Sequence, residues 1–133
     1  MIQFREGSAG GARRTVLVAD DNKDAADTLA ILLDMDGYET SVVHSGLEAL
    51  QSARERRPDA VILDIGMPDV NGYEVARRIR EEEWGRDVFL LAITGWGHPD
   101  DIARAKAAGF NEHLTKPVEA VHVVQLLGKY LSG

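Results

Sequence analysis

Short apolar runs alternate along this chain with longer amphipathic segments, and most of the runs stop at a residue able to handle charge. Thr15 to Ala19 runs into Asp20 and Asp21, Ala60 to Leu63 into Asp64, and Val88 to Ile93 into Thr94. A weaker run, Phe110 to Thr115, stops at Lys116 and Pro117. Runs this short and this apolar read as strands, and the segments between them as helices. Helices are expected over Asp24 to Met35, Leu47 to Arg56, Tyr73 to Glu82, Pro99 to Ala108 and Val118 to Leu131, with a further strand from Thr40 to Val43. Gly37 and Gly109 end the first and fourth helices, and Pro58 stops the second.

Strands alternating with helices imply an α/β fold, (βα)₅, with a parallel sheet covered on both faces. The two continuously apolar runs, Ala60 to Leu63 and Val88 to Ile93, suit central strands, and the more polar Phe110 to Thr115 suits an edge. The inward helix faces read as Ala25, Leu29, Leu32 and Leu33; Leu47, Leu50 and Ala53; and Val121, Val124, Leu127 and Leu131. The Gly- and Ser-containing residues 1–14 read as a flexible tail or linker remnant, and residues 15–131 as a single domain. No repeat or second domain is visible in the 133 residues.

Composition excludes several functions. A net charge of −7 argues against direct nucleic-acid binding. The nearest basic cluster, Arg77, Arg78 and Arg80, is followed at once by Glu81 to Glu83 and reads as a solvated helix face. The chain contains no cysteine, which rules out disulfides, thiolate catalysis and zinc–thiolate sites. Its longest apolar run falls far short of the ~20 residues that span a bilayer. The expectation is a cytoplasmic protein, or the cytoplasmic part of something larger.

In a parallel sheet the carboxyl ends of the strands share one edge, and ligands bind outside it. Three carboxylates, a hydroxyl and an ammonium would then meet at one place. Each has a plainer reading taken alone. Asp20 or Asp21 would cap a helix, Asp64 would start a turn, Thr94 would end a strand, and Lys116 would be an exposed lysine. Taken together they describe a Mg²⁺ and phosphoryl site. Two carboxylates ~4 Å apart repel by ~4 kcal/mol at an effective dielectric of about 20, and a divalent cation turns that penalty into binding. Asp64 would be a carboxylate nucleophile, Thr94 a hydrogen-bond donor and Lys116 a neutralising cation. Gly66 would let a main-chain carbonyl face the metal, and Lys116–Pro117 is a candidate for the ~5% of X–Pro bonds that are cis.

These motifs resemble the receiver domain of two-component response regulators from about Thr15 to Leu131. The features that carry the resemblance are the acidic pair after the first run, Asp64 followed by Met67–Pro68, Thr94, and Lys116–Pro117. Val18 to Asn22, Asn71 to Ala76 and Leu114 to Pro117 look most like receivers attached to hybrid histidine kinases. The resemblance implies a flavodoxin-like, doubly wound sheet of strand order 2-1-3-4-5. It implies a phosphoacceptor signalling module in which Asp64 takes a phosphoryl group from the phosphohistidine of a partner. That partner would be a sensor or hybrid histidine kinase, or a histidine phosphotransfer protein, and an unidentified downstream protein would read the result. Asp21, Asp64 and the Gly66 carbonyl would ligate Mg²⁺, Asp20 would reach it through water, and Thr94 and Lys116 would hold phosphoryl oxygens. Such a module is no metabolic enzyme, although a receiver promotes its own phosphorylation and dephosphorylation.

Two positions depart from the pattern. His113 stands where the family usually has the aromatic residue coupled to the Thr, and reads as a polar edge-strand residue. Trp96, two residues after Thr94, would narrow the water path to an acyl phosphate. The alternative is a pseudo-receiver, a protein-binding module without phosphorylation, but that reading expects a lost acidic or Lys position. A haloacid-dehalogenase phosphatase would carry a second Asp two residues after Asp64, where Gly66 stands. A flavodoxin would not place Asp20 and Asp21 where a flavin phosphate must bind.

Overall fold

The computed structural model describes residues 13–95 and 97–131. Residues 1–12 of the expected tail, and Trp96, lie outside the described residues. The strands are β1 (Thr15–Ala19), β2 (Glu39–Val43), β3 (Ala60–Asp64), β4 (Phe89–Thr94) and β5 (Glu112–Thr115). The helices are α1 (Lys23–Met35), α2 (Gly46–Arg56), α3 (Gly72–Glu81), α4 (Pro99–Ala108) and α5 (Ala120–Leu131). All strand pairs are parallel, in the order β2-β1-β3-β4-β5. This is the expected flavodoxin-like (βα)₅ fold.

Alternate residues of the central strands feed two cores, as the two-residue period of a strand requires. Leu17, Val61, Leu63, Leu90 and Ala92 face α2, α3 and α4, burying Leu50, Val75, Ile79 and Ala105 among others. Val16, Val18, Ile62, Leu91 and Ile93 face α1 and α5, burying Ala26, Leu33, Val123 and Leu127. β3 and β4 are buried from end to end, and β5 is a half-exposed edge.

The helix faces are partly corrected. α1 buries Ala26, Ala30 and Leu33, while Ala25 and Leu32 are exposed. Its apolar residues wrap around most of the helix, so periodicity alone leaves the facing stripe ambiguous by one position. Leu47 and Val121 are also exposed. They sit in the first turns of α2 and α5, and α2 makes its contact through Ala49, Leu50 and Ala53, α5 through Val123 and Leu127.

The basic cluster also needs correction. Arg77 and Arg78 are exposed and pair with Glu74. Arg80 instead turns inward and donates to main-chain carbonyls around a short 3₁₀ turn, Glu83–Gly85, which has no periodic signature in the sequence.

Four of the helices, α1 to α4, start at a side-chain cap. Asn22 accepts from Ala25 N, Ser45 from Glu48 N, and Asn71 from Glu74 N. His98 Nδ1 accepts from Asp100 N ahead of α4. The cap of α1 is therefore Asn22, and neither Asp20 nor Asp21 is used up in that role.

Candidate functional site

Asp20 and Asp21 follow β1, Asp64 ends β3, Thr94 ends β4 and Lys116 follows β5, so all lie on the same edge of the sheet. The register aligns them. Ala19 is opposite Leu63, Asp64 opposite Ile93, and Thr94 opposite Thr115. Backbone hydrogen bonds extend the ladder past the strands, from Ile65 N to the Ile93 carbonyl and from Lys116 N to the Thr94 carbonyl. The Lys116–Pro117 peptide is cis.

Asp64 is almost fully buried, with 4% of its surface exposed. Its Oδ2 lies 3.3 Å from Lys116 Nζ, and its Oδ1 accepts from Gly66 N at 3.1 Å. Asp20, Asp21 and Asp64 each present a carboxylate oxygen, and these oxygens lie within 4.8 Å of one another. Asp20 Oδ1 also accepts from Asn22 N at 2.9 Å. Burial, together with the Asp64 carboxylate, raises the Asp20 carboxyl to about 6, against the opposing pull of the Asn22 N–H and the Lys116 charge. The environment thus disfavours this negative charge in the absence of a cation. Clustered carboxylate oxygens, one of them buried, are the donor set of a hard divalent ion such as Mg²⁺, and the residues fit that ion.

Of the residues singled out from the sequence, Asp20, Asp21, Asp64 and Lys116 come together directly. Thr94 is buried beside them at the end of the adjacent strand. Gly66 is exposed, and its N–H contacts Asp64. His113 is a half-buried residue of the β5 edge. A cavity of about 320 Å³ opens beside the cluster, between Asp20, Asp64 and Lys116 and the apolar Ala26, Leu29 and Val118.

Two residues near the site escaped sequence reasoning. His44, after β2, contacts the main chain of Asp20. Asp69 ties the loop after Asp64 to α2, accepting from Gly46 N at 2.9 Å and Leu47 N at 3.0 Å. The contact is close enough that a Cβ at Gly46 would lie 2.1 Å from the Val70 carbonyl oxygen, so only glycine fits. The signals were present as Ser45-x-x-Glu48, a capping-box spacing, and as Asp69 after Met67–Pro68 in a turn.

Hydrogen bonds from Leu47 and Gly46 hold the Asp69 carboxyl down at about 2. A carboxyl lowered on folding contributes stability that is present above its unfolded value and is lost as pH falls through the folded one. The wild type is therefore expected to lose its advantage over Asp69→Asn between about pH 4 and pH 2. Urea midpoints measured across that range check this, and a constant difference between the two proteins would exclude it.

The sequence model for the response regulator receiver domain matches residues 16–128. The polar-differentiation response regulator DivK of Brucella ovis is 31% identical over 118 residues, covering 89% of this chain and 96% of its own length. The crystal structure of a putative response regulator from Chloroflexus aurantiacus superposes with a TM-score of 0.85 at 31% identity, covering 92% of this chain and all of its own. The receiver domain of the sensor histidine kinase PA1611 from Pseudomonas aeruginosa superposes at 0.83 with 30% identity, over 92% of this chain and 100% of that domain. That structure has a magnesium ion coordinated in its active-site cleft. The sheet order, the acidic edge and these likenesses agree: this chain belongs to the response regulator receiver domain family.

Proposed function

We propose that this receiver is a phosphoacceptor, with Asp64 as the residue that is phosphorylated. The observation that carries the reading is the placement of Asp64, a buried carboxylate 3.3 Å from the Lys116 ammonium and beside two further carboxylates. A carboxylate oxygen of Asp64 attacks the phosphorus of a partner's phosphohistidine. The new O–P bond forms as the P–N bond breaks, and the electron pair stays with the imidazole nitrogen. Phosphoryl transfer asks a protein mainly for alignment and charge neutralisation. Lys116 contributes a positive charge for the phosphoryl oxygens, and the Thr94 hydroxyl a hydrogen bond. Asp21, Asp64 and the Gly66 carbonyl would hold Mg²⁺, with Asp20 acting through water; when bound, the ion neutralises phosphoryl charge.

The donor in this reading is a sensor or hybrid histidine kinase or a histidine phosphotransfer protein. Phosphorylation would change contact with a downstream protein in the cytoplasm. Among the described residues no helix is long and apolar enough to cross a membrane. The test is intact mass after incubation with acetyl phosphate, with and without Mg²⁺, on wild type and Asp64→Asn. The expected result is one phosphoryl adduct that requires Mg²⁺ and is absent from the variant. If turnover empties the adduct, beryllofluoride with Mg²⁺ is expected to change tryptophan fluorescence in the wild type alone. Neither adduct nor fluorescence response would sink the phosphoacceptor reading in favour of a phosphorylation-independent binding module.

A further inference from the structure

The β1–β2 ladder ends at the hydrogen bond from Asp20 N to the Val43 carbonyl, at 3.2 Å. The next residue, His44, turns its side chain back across that rung, and its Nδ1 lies 3.1 Å from the Asp20 carbonyl oxygen. A carbonyl only accepts, so Nδ1 carries the hydrogen and the imidazole donates. His44 is itself held in place. Its main-chain N–H donates to Glu48 Oε1 at 2.9 Å, and Glu48 N donates in turn to Ser45 Oγ at 3.1 Å. The first turn of α2 thus fixes His44, and His44 grips Asp20. Both polar groups of the Asp20 main chain are occupied, the N–H by Val43 and the carbonyl by the imidazole.

We infer that His44 is a positioning residue for the acidic cluster, setting the direction of the Asp20 carboxylate by fixing the main chain that carries it. The inference rests on the reading of the cluster as a Mg²⁺ site. Mg²⁺ demands near-ideal octahedral geometry at short distances and tolerates little displacement of its surroundings. Groups one layer out from a metal, which orient those that face it, commonly change affinity by about ten- to a hundredfold when removed. His44 acts through a main-chain carbonyl and leaves the Asn22 N–H on the Asp20 carboxylate untouched, so a smaller effect is expected. The competing account is that the hydrogen bond merely packs α2 against β1. That account predicts a change in melting temperature and none in cation affinity.

The test is Mg²⁺ titration of the full chain by calorimetry, with melting in EDTA measured alongside. His44→Leu removes the donor, and His44→Phe removes it while keeping a ring. Both are expected to bind Mg²⁺ about three- to tenfold more weakly than wild type. His44→Asn places an amide N–H₂ the same number of bonds from Cα as Nδ1, and is expected to restore affinity to within about twofold. Leucine and phenylalanine variants that melt lower yet bind Mg²⁺ like wild type would overturn the inference, as would an asparagine variant no better than leucine. A wild type that takes up no Mg²⁺ would overturn the reading of the site itself, and this inference with it.

Discussion

Arg80→Met is expected to lower the unfolding free energy by about 3–5 kcal/mol and the melting temperature by about 10–20 °C. The guanidinium gathers five acceptors. Nε donates to the Gly109 carbonyl at 2.9 Å; one terminal nitrogen is shared among the carbonyls of Gly85, Arg86 and Val88 at 2.8, 3.1 and 2.7 Å; and the other reaches Asn111 Oδ1 at 2.9 Å. These groups lie before β4, after α4 and before β5, so one side chain of α3 ties together the sheet edge opposite Asp64. Asn111 Oδ1 also accepts from Leu90 N, which carries the tie into the central strand β4.

Methionine fills much of the volume but satisfies none of these acceptors. Each carbonyl left unpartnered away from water costs about 1–3 kcal/mol, and the ease with which water reaches the outer ones keeps the sum below simple addition. Burial pushes Arg80 below its usual value, yet a guanidinium stays charged in proteins. Arg80→Lys is expected to recover less than half of the loss, because one ammonium cannot spread donors over a fork-shaped set of acceptors. Chemical denaturation and thermal melting check both variants. A shift for methionine under about 3 °C would mean that water replaces the guanidinium at every carbonyl. In the folded fraction, the phosphorylation proposed for Asp64 should be unchanged, since the tie lies at the far edge of the sheet.

The Arg80 tie also shows where reading from sequence stops. Arg77, Arg78 and Arg80 look alike in the chain, and two of them are exposed partners of Glu74 as their helical spacing suggests. What separates Arg80 is the 3₁₀ turn Glu83–Gly85 and Gly109, whose lack of a Cβ leaves room for the arginine stem. A Cβ at Gly109 would lie 2.7 Å from Arg80 Cγ. Neither feature follows from periodicity. The chemistry-bearing residues were legible for the opposite reason: Asp20, Asp21, Asp64, Thr94 and Lys116 stand at strand ends, and parallel strands place those ends side by side whatever the helices do.

Intermediate cases fall between these limits. In α1, apolar residues at Ala25, Ala26, Leu29, Ala30, Leu32 and Leu33 admit more than one stripe, and only packing on the sheet selects Ala26, Ala30 and Leu33. His44 and Asp69 are polar residues in turns, a class with many local uses. Their contacts to Asp20 and α2 depend on loop geometry fixed by the whole fold.

The second large effect depends on whether a divalent cation is present. Asp20→Asn is expected to be more stable than wild type in EDTA, by about 1–2 kcal/mol, and to gain less from Mg²⁺. Carboxylate oxygens of Asp20, Asp21 and Asp64 lie within 4.8 Å of one another. At such a separation each like-charged pair costs roughly 3–4 kcal/mol at an effective dielectric of about 20. Lys116 offsets part of this through its contact with Asp64, and the half exposure of Asp20 lets solvent screen much of the remainder, leaving the smaller figure. Asparagine keeps an oxygen that can accept from Asn22 N, so the change removes charge with little loss of hydrogen bonding. With Mg²⁺ the balance shifts. A ligand that binds only the folded state stabilises it by about 1.4 kcal/mol at tenfold its dissociation constant, and a variant lacking one carboxylate reaches that gain only at higher concentration. Thermal unfolding followed by circular dichroism in EDTA and over a Mg²⁺ series measures both arms. A variant less stable than wild type in EDTA would mean that attraction to Lys116 outweighs repulsion from Asp64, and the carboxylate edge would then be held together without a cation.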